Sequence, residues 1–360
     1  MIDPIKILKR AWHILWNYRT LWFFGLILAL TASRGGGNSG YQFNGGDRSS
    51  GGSGFTPGGR IEQWFQEFFR PLTQMPEKQL ISTLVWVVAG LICIFLLIGI
   101  VFAIARYVSE VAAIRMVNDY EESDVKVGFR QGWRLGWTRS AWRFFLINLL
   151  ISLPVILLLL LLAIIGGIVY FMVAGGNNLT TVTGIVGGVG LAFLLIFLVV
   201  ILEVVLHLLR EFFWRVCALE NLGVIDSLRR GFELVKRNWK SAGLMWLVML
   251  GVGIARVIAT ILLLILLIPL YIVMAIPAIL VAGVPALVAF GITSLFLSTP
   301  LAAIVALVIG LPLFFLITFS PLVVLEAWLQ VFKSSVWTLT YRELLILEGP
   351  AAPKVLPQAA

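Results

Sequence analysis

From Val257 to Leu325 no residue carries a charge, and Pro269, Pro277, Pro285, Pro300, Pro312 and Pro321 interrupt the run. A stretch of that length reads as membrane-embedded, and in hydrocarbon every backbone N–H and C=O must be satisfied internally, which makes helices the expected structure. The run is too long for two simple spans. Its middle, Ile276 to Leu297, either re-enters and leaves on one side or crosses as an extra helix.

The rest of the chain agrees with this start. Apolar residues make up 60% of the sequence and charged residues 12%, against roughly 25% charged in a soluble domain. The expected fold class is therefore all-α: a polytopic transmembrane helix bundle of about six spans. A net charge of +9 raises the question of nucleic acid. The Lys and Arg residues lie beside apolar runs rather than in a separate basic domain, so the expected partners are membrane lipids and not nucleic acid. Cys93 and Cys217 have no metal-ligand or redox spacing, and no disulfide framework is implied.

One short pattern recurs without gaps. Leu228-Arg229-Arg230-Gly231-Phe232 aligns with Phe129-Arg130-Gln131-Gly132-Trp133 and with Leu8-Lys9-Arg10-Ala11-Trp12. Gly223, Asp124 and Asp3 lie upstream as helix N-cap residues. Each copy reads as a short amphipathic helix that turns into a span, an elbow. The apolar stripes are Ile225, Leu228 and Phe232; Phe129, Trp133 and Trp137; and Ile5, Leu8, Trp12 and Leu15, each opposite basic residues. Trp12, Trp16, Trp133, Trp137, Phe232 and Trp239 are the expected interfacial anchors. Gly128, Gly132 and Gly136 form a stripe that lets a neighbouring helix approach closely.

Taken in order, residues 1–33 hold an elbow and a short first span whose helix is expected to begin near Trp16; a signal peptide is the alternative for Leu21 to Ala32. Residues 34–79 form a Gly-rich external loop with an amphipathic helix at Ile61 to Phe69. Residues 80–348 form the helical membrane bundle with internal repeats, and 349–360 a flexible tail. Spans are expected at Leu80 to Ala105, Phe144 to Val173, Gly184 to Leu209 and from Ser241. Ala327 to Leu347 reads as an amphipathic segment after the last span. Lys and Arg concentrate at the N-terminus, from Arg106 to Arg143, from Arg210 to Lys240 and after the last span, whereas the turns at Asn177 and Ser298 are uncharged. All elbows and both termini are thus expected in the cytoplasm.

The stretch Glu220 to Trp239 resembles the elbow of the multi-pass membrane domain found in bacterial glycerophosphodiester phosphodiesterases and related bacterial polytopic membrane families. Tyr341-Arg342-Glu343 resembles the closing motif of that domain. The resemblance implies a six-span bundle in the bacterial cytoplasmic membrane with an accessory role. In the phosphodiesterases the chemistry belongs to a separate soluble domain, so no catalytic residue carries over to this chain.

The residues themselves supply no catalytic constellation. His13 and His207 are the only histidines, and no P-loop, H-E-x-x-H, G-x-S-x-G or cysteine cluster is present; no enzyme activity, cofactor or metal is expected. Two readings remain: a non-enzymatic scaffold or lipid-interacting accessory protein, and a transporter or channel with a polar site inside the bundle. For the second, the candidate intramembrane polar cluster is Glu203, His207, Arg256 and Asn148. Glu203 and Arg256 are expected to pair, because an isolated charge at their depth costs at least ~2.5 kcal/mol.

Overall fold

The computed structural model describes residues 2–32, 77–174, 178–297 and 299–348. Every regular element among them is an α-helix: α1 Pro4–Asn17, α2 Thr20–Ala32, α3 Glu77–Ser123, α4 Phe129–Gly136, α5 Arg139–Ala174, α6 Asn178–Leu219, α7 Val224–Arg237, α8 Trp239–Leu266, α9 Ile268–Thr293, α10 Thr299–Thr318 and α11 Ser320–Glu348. The Ile61 to Phe69 helix, the tail and nearly all of the Gly-rich segment lie outside the described residues.

Seven helices are long and apolar enough to cross a membrane, or eight if α1 and α2, bent by 101°, count as one broken span. The protein is thus an all-α membrane bundle. The excess over the expected six comes from the charge-free run. Pro269 and Pro321 each fall on the second residue of a helix, where a missing N–H costs nothing; they divide the run at Leu267 and Phe319 instead of at Ile276. Pro277, Pro285 and Pro312 are carried inside helices. Ala327 to Leu347 is no separate segment but the body of α11.

The described chain packs as two compact units. The first contains α1, α2, the C-terminal part of α3, α4 to α7, the start of α8 and α11 from Glu326. At its centre the C-terminal ends of α3, α6 and α11 meet, and each pair is tied. Arg342 of α11 donates to the Asn118 carbonyl and side-chain oxygens of α3 at 3.2 and 2.6 Å. The Tyr341 hydroxyl donates to the Glu220 carboxylate just past α6. Arg115 of α3 donates to the carbonyls of Ala218 at 3.0 Å and Leu135 at 2.9 Å, and to Asn221 Oδ1 at 2.9 Å. Those carbonyls close α6 and α4 and have no partner within their own helices, so a guanidinium there satisfies them and opposes the helix dipoles.

The elbows wrap this triangle. In α1, Asp3 caps the helix by accepting from the N–H groups of Ile5 and Lys6. Ile7, Ala11, Ile14 and Tyr18 are buried, whereas Ile5 and Trp12 stay exposed. Tyr18 closes the bend between α1 and α2: its hydroxyl donates to the Val127 carbonyl and accepts from the Val127 N–H. Burial pushes this phenol up to about 12, so it stays a neutral donor. The same division recurs in the other two elbows, with Gly132 and Gly136 buried in α4 and Ser227, Gly231 and Leu234 in α7.

Three details differ from the sequence expectation. The core-facing stripe of each elbow runs through its small residue, Ala11, Gly132 or Gly231, and not through the aromatic one. The reason is contact distance: a Cβ on Gly132 would meet Met116 at 2.6 Å, and one on Gly231 would meet the Phe213 ring at 2.5 Å. The N-cap of α4 is Gly128; Asp124, at φ 55°, instead ends α3 in the left-handed region. The helix after the first elbow begins at Thr20 and not near Trp16, which completes the last turn of α1.

α2 reaches α11 closely, since a Cβ on Gly25 would sit 2.4 Å from the Ala327 carbonyl oxygen. Trp328 packs between Trp16 and Trp22, with ring centroids 5.6 and 5.2 Å away. The second unit contains α9, α10 and neighbouring residues. Its helices α9 and α10 meet through small residues, Ala286 against Gly310, and flank an open apolar groove of about 530 Å³.

Candidate functional site: a charged centre inside the helix triangle

Above the tied ends of α3, α6 and α11, charged side chains face one another. Glu211 and Arg215 stand one turn apart on α6, so they share a helix face. They are joined at 2.6 Å, with side chains only 4% and 1% exposed. Lys333 of α11 completes a triad, its ammonium 2.9 Å from the second Glu211 oxygen. Arg215 also reaches the Ser334 carbonyl at 3.4 Å. Two buried charges cost several kcal/mol each unless paired and hydrogen-bonded, and here each has a partner from another residue of the triad.

Further groups lie within electrostatic reach. Glu110 of α3 sits in the field of Arg215, Glu211, Lys333 and Arg106. His207 sits in that of Glu211, Lys333 and Arg210. Arg210 stacks over the Trp214 ring, 5.4 Å from its centroid, and donates to Asn148 Oδ1 at 3.4 Å. Asn148 also bonds the Tyr107 hydroxyl.

The depth of the centre is set by the elbows. Gly136 packs on the Val108 carbonyl, Gly231 on Phe213 and Trp12 on Phe332. Each contact lies within two residues of Glu110, Glu211 or Lys333 respectively. The charged centre is therefore level with the elbow helices and inside the triangle they surround.

Of the four residues expected from sequence to form an intramembrane cluster, Asn148 and His207 belong to this centre. Glu203, two turns from Glu211, is exposed on α6; Arg256 is half-buried on α8 and falls in the second unit. Sequence reasoning missed Arg210, Glu211, Arg215 and Lys333 as site residues. It ended the span at Leu209 and assigned Arg210 to Lys240 to a cytoplasmic connection, whereas α6 continues to Leu219. The available signal was the R-E-x-x-x-R spacing inside an apolar setting, Phe212, Phe213 and Trp214, which puts Glu211 and Arg215 on one buried face.

The expected interfacial anchors are found at the surface. Trp12, Trp16, Trp137, Phe232 and Trp239 are exposed, and Trp133 is half-buried. Beside α1 a polar cleft of about 740 Å³ is lined by Arg10, His13, Asn17, Tyr120, Glu121 and Lys126, among others. Arg10 pairs with Glu121 at 2.6 Å. Among the described residues no group of three or more His, Cys, Asp or Glu side chains could hold a metal ion.

No curated protein and no solved structure matches the chain. A family model does match, over residues 8–347, and the chain belongs to that family, described as "Family of unknown function (DUF7544)".

Proposed function

We propose that this is a non-enzymatic, lipid-interacting scaffold of a bacterial cytoplasmic membrane, with three repeated elbows lying on the inner leaflet and both termini in the cytoplasm. The observation that carries it is the three-sided build of the elbows. One side is buried on the helix triangle, one carries exposed apolar residues such as Ile225 at 77% and Trp12 at 56%, and one is basic. An exposed apolar side is unfavourable in water and expected at the acyl boundary, with the basic side among anionic headgroups. The resemblance of the elbow motif to the membrane domain of the phosphodiesterases, where chemistry resides elsewhere, is consistent with a non-enzymatic role. The test is lipid retention. The protein is extracted in mild neutral detergent and its bound lipids are weighed by mass spectrometry against those of a Lys6→Gln, Lys9→Gln, Arg229→Gln, Lys236→Gln variant. Anionic lipid should be enriched in the first and reduced in the second. Equal retention would sink the reading.

A second reading, a transporter or channel, is favoured by the charged centre, since ionisable groups within a bundle mark solute pathways in membrane proteins. On this reading Glu211, Arg215 and Lys333 face the pathway. Lys333→Gln should then change the ion conductance of the protein in planar bilayers, and a conductance no different from a protein-free bilayer in both forms would remove the reading.

A further inference from the structure

We infer that the polar cleft beside α1 binds the headgroup of an ethanolamine phospholipid, a phosphate and a primary ammonium joined by two carbons. The inference rests on the lipid-interacting reading of the elbows and adds a lipid class that their basic sides do not select. The cleft, of about 740 Å³, lies between α1 and the end of α3 with the segment that follows it. Its lining carries both signs of charge, Arg10 and Lys126 against Glu121, Glu122 and Asp124. Arg10 pairs with Glu121 at 2.6 Å, and Glu122 is held by Arg342 at 3.2 Å and by Asn118 at 3.1 Å. Asp119, behind them, lies in the field of Arg115. Among the described residues Asp124 and Lys126 form no ion pair. With Arg342 included, three cations meet three carboxylates, which leaves no surplus to hold an anion or a bare cation. A ligand with one charge of each sign answers both of the unpaired groups.

Geometry and hydrogen-bonding capacity narrow the ligand further. Asp124 and Lys126 are two residues apart, so their Cα atoms are at most ~7 Å from each other, and one small zwitterion can touch both side chains. The lining suits an ammonium that donates. Its carboxylates accept hydrogen bonds, and Asn17, whose Nδ2 lies 2.7 Å from His13 Nε2, keeps its carbonyl oxygen as an acceptor, because an amide nitrogen only donates. A trimethylammonium group has no N–H and is recognised by open aromatic faces. Tyr120 is the aromatic residue of this lining, and it is buried, with its ring 5.4 Å from that of Tyr18. The neighbouring surface makes the ligand a lipid. Ile5 and Trp12 leave α1 with an exposed apolar side, along which acyl chains can lie while the headgroup enters the cleft beside His13.

The experiment is native mass spectrometry of the full chain in neutral detergent, titrated separately with phosphatidylethanolamine, phosphatidylcholine, phosphatidylglycerol and free phosphoethanolamine. Phosphatidylethanolamine should fill one saturable site about tenfold more tightly than phosphatidylcholine, the difference expected of charge-assisted hydrogen bonds that only the primary ammonium makes. Asp124→Asn and Lys126→Gln should each weaken that site about tenfold. Both positions are exposed, and asparagine tolerates the left-handed φ of 55° at residue 124, so the fold is kept. Arg229→Gln with Lys236→Gln should lower phosphatidylglycerol binding and leave the ethanolamine site unchanged. Equal affinity for phosphatidylethanolamine and phosphatidylcholine, a site that neither Asp124→Asn nor Lys126→Gln weakens, or free phosphoethanolamine binding as tightly as the phospholipid would overturn the assignment. Should phosphatidylglycerol still bind preferentially in that case, the elbow reading stands and this inference alone falls. Loss of the phosphatidylglycerol preference with the ethanolamine site intact would strike the basic elbows and leave the cleft.

Discussion

Replacing Gly25 with alanine tests the close contact of α2 with α11 in the first unit. The added Cβ would lie 2.4 Å from the Ala327 carbonyl oxygen, whereas ordinary contacts begin at 3.4 Å. The obstacle is backbone, so α2 must move off α11 by about 1 Å, which loosens the packing of Trp16 and Trp22 on Trp328. Overpacking of this kind costs ~1–3 kcal/mol, with the upper end apt for an immovable neighbour. Alanine also gains ~1 kcal/mol over glycine inside a helix. The net expectation is a loss of about 2 kcal/mol. Gly243→Ala in α8 makes the same chemical change where nothing lies within 4 Å, and should stabilise by up to ~1 kcal/mol. The measurement is reversible unfolding in mixed micelles with rising sodium dodecyl sulfate, read by tryptophan fluorescence. The two variants should differ by about 3 kcal/mol. If they fall within about 0.5 kcal/mol of each other, the close approach of α2 to α11 is refuted. Gly136→Ala, 2.2 Å from the Val108 carbonyl oxygen, should behave as Gly25→Ala does.

Phe232 is 51% exposed and Leu234 fully buried, so Leu234→Ala should cost ~2–5 kcal/mol and Phe232→Ala clearly less in the same unfolding assay; the reverse order would mean that the elbow is rotated. Phe232→Asp should reduce membrane yield sharply, because it puts a carboxylate on the exposed apolar side proposed to face lipid. Arg115→Lys should destabilise by about 3 kcal/mol despite keeping the charge, since an ammonium cannot fork to carbonyls on two helices; wild-type stability would show that these bonds are dispensable. For topology, α8 and α9 together run about 80 Å at 1.5 Å per residue, more than twice a hydrocarbon core of ~30 Å. An apolar extension of that length cannot stand in water, so Leu267 and Phe319 should act as turns. A cysteine at Ser294 should then resist an impermeant thiol reagent in intact cells while one at Asn178 reacts; labelling at Ser294 would restore six crossings.

The elbows were legible in the sequence because capping and helical spacing are local. Asp3-Pro4 marked the start of α1, and the aligned Ala11, Gly132 and Gly231 proved to be equivalent buried positions. What the local pattern could not show was direction. A stripe of Ile5, Leu8, Trp12 and Leu15 looks like one core-facing side, yet Ile5 and Trp12 are exposed while Leu15 is buried, because the side that packs closely on the triangle needs small residues. The charged centre was illegible for a related reason. Glu110, Glu211 and Lys333 are separated by 101 and 122 positions, and each reads alone as the polar end of a helix. Only the meeting of three distant helices turns those ends into one site.

The packing of α2 on α11 also sets an order of events during synthesis. About 290 residues separate Ala32 from Ser320, and at roughly 5–20 residues per second a ribosome needs on the order of 15–60 s to cover that distance. For that interval the groove at Gly25 and the open faces of Trp16 and Trp22 have no partner made, and lipid must occupy them. A nascent chain halted before Ser320 should therefore leave its N-terminal helices susceptible to quality-control proteolysis, whereas completion of the last helix should end that vulnerability in a single step.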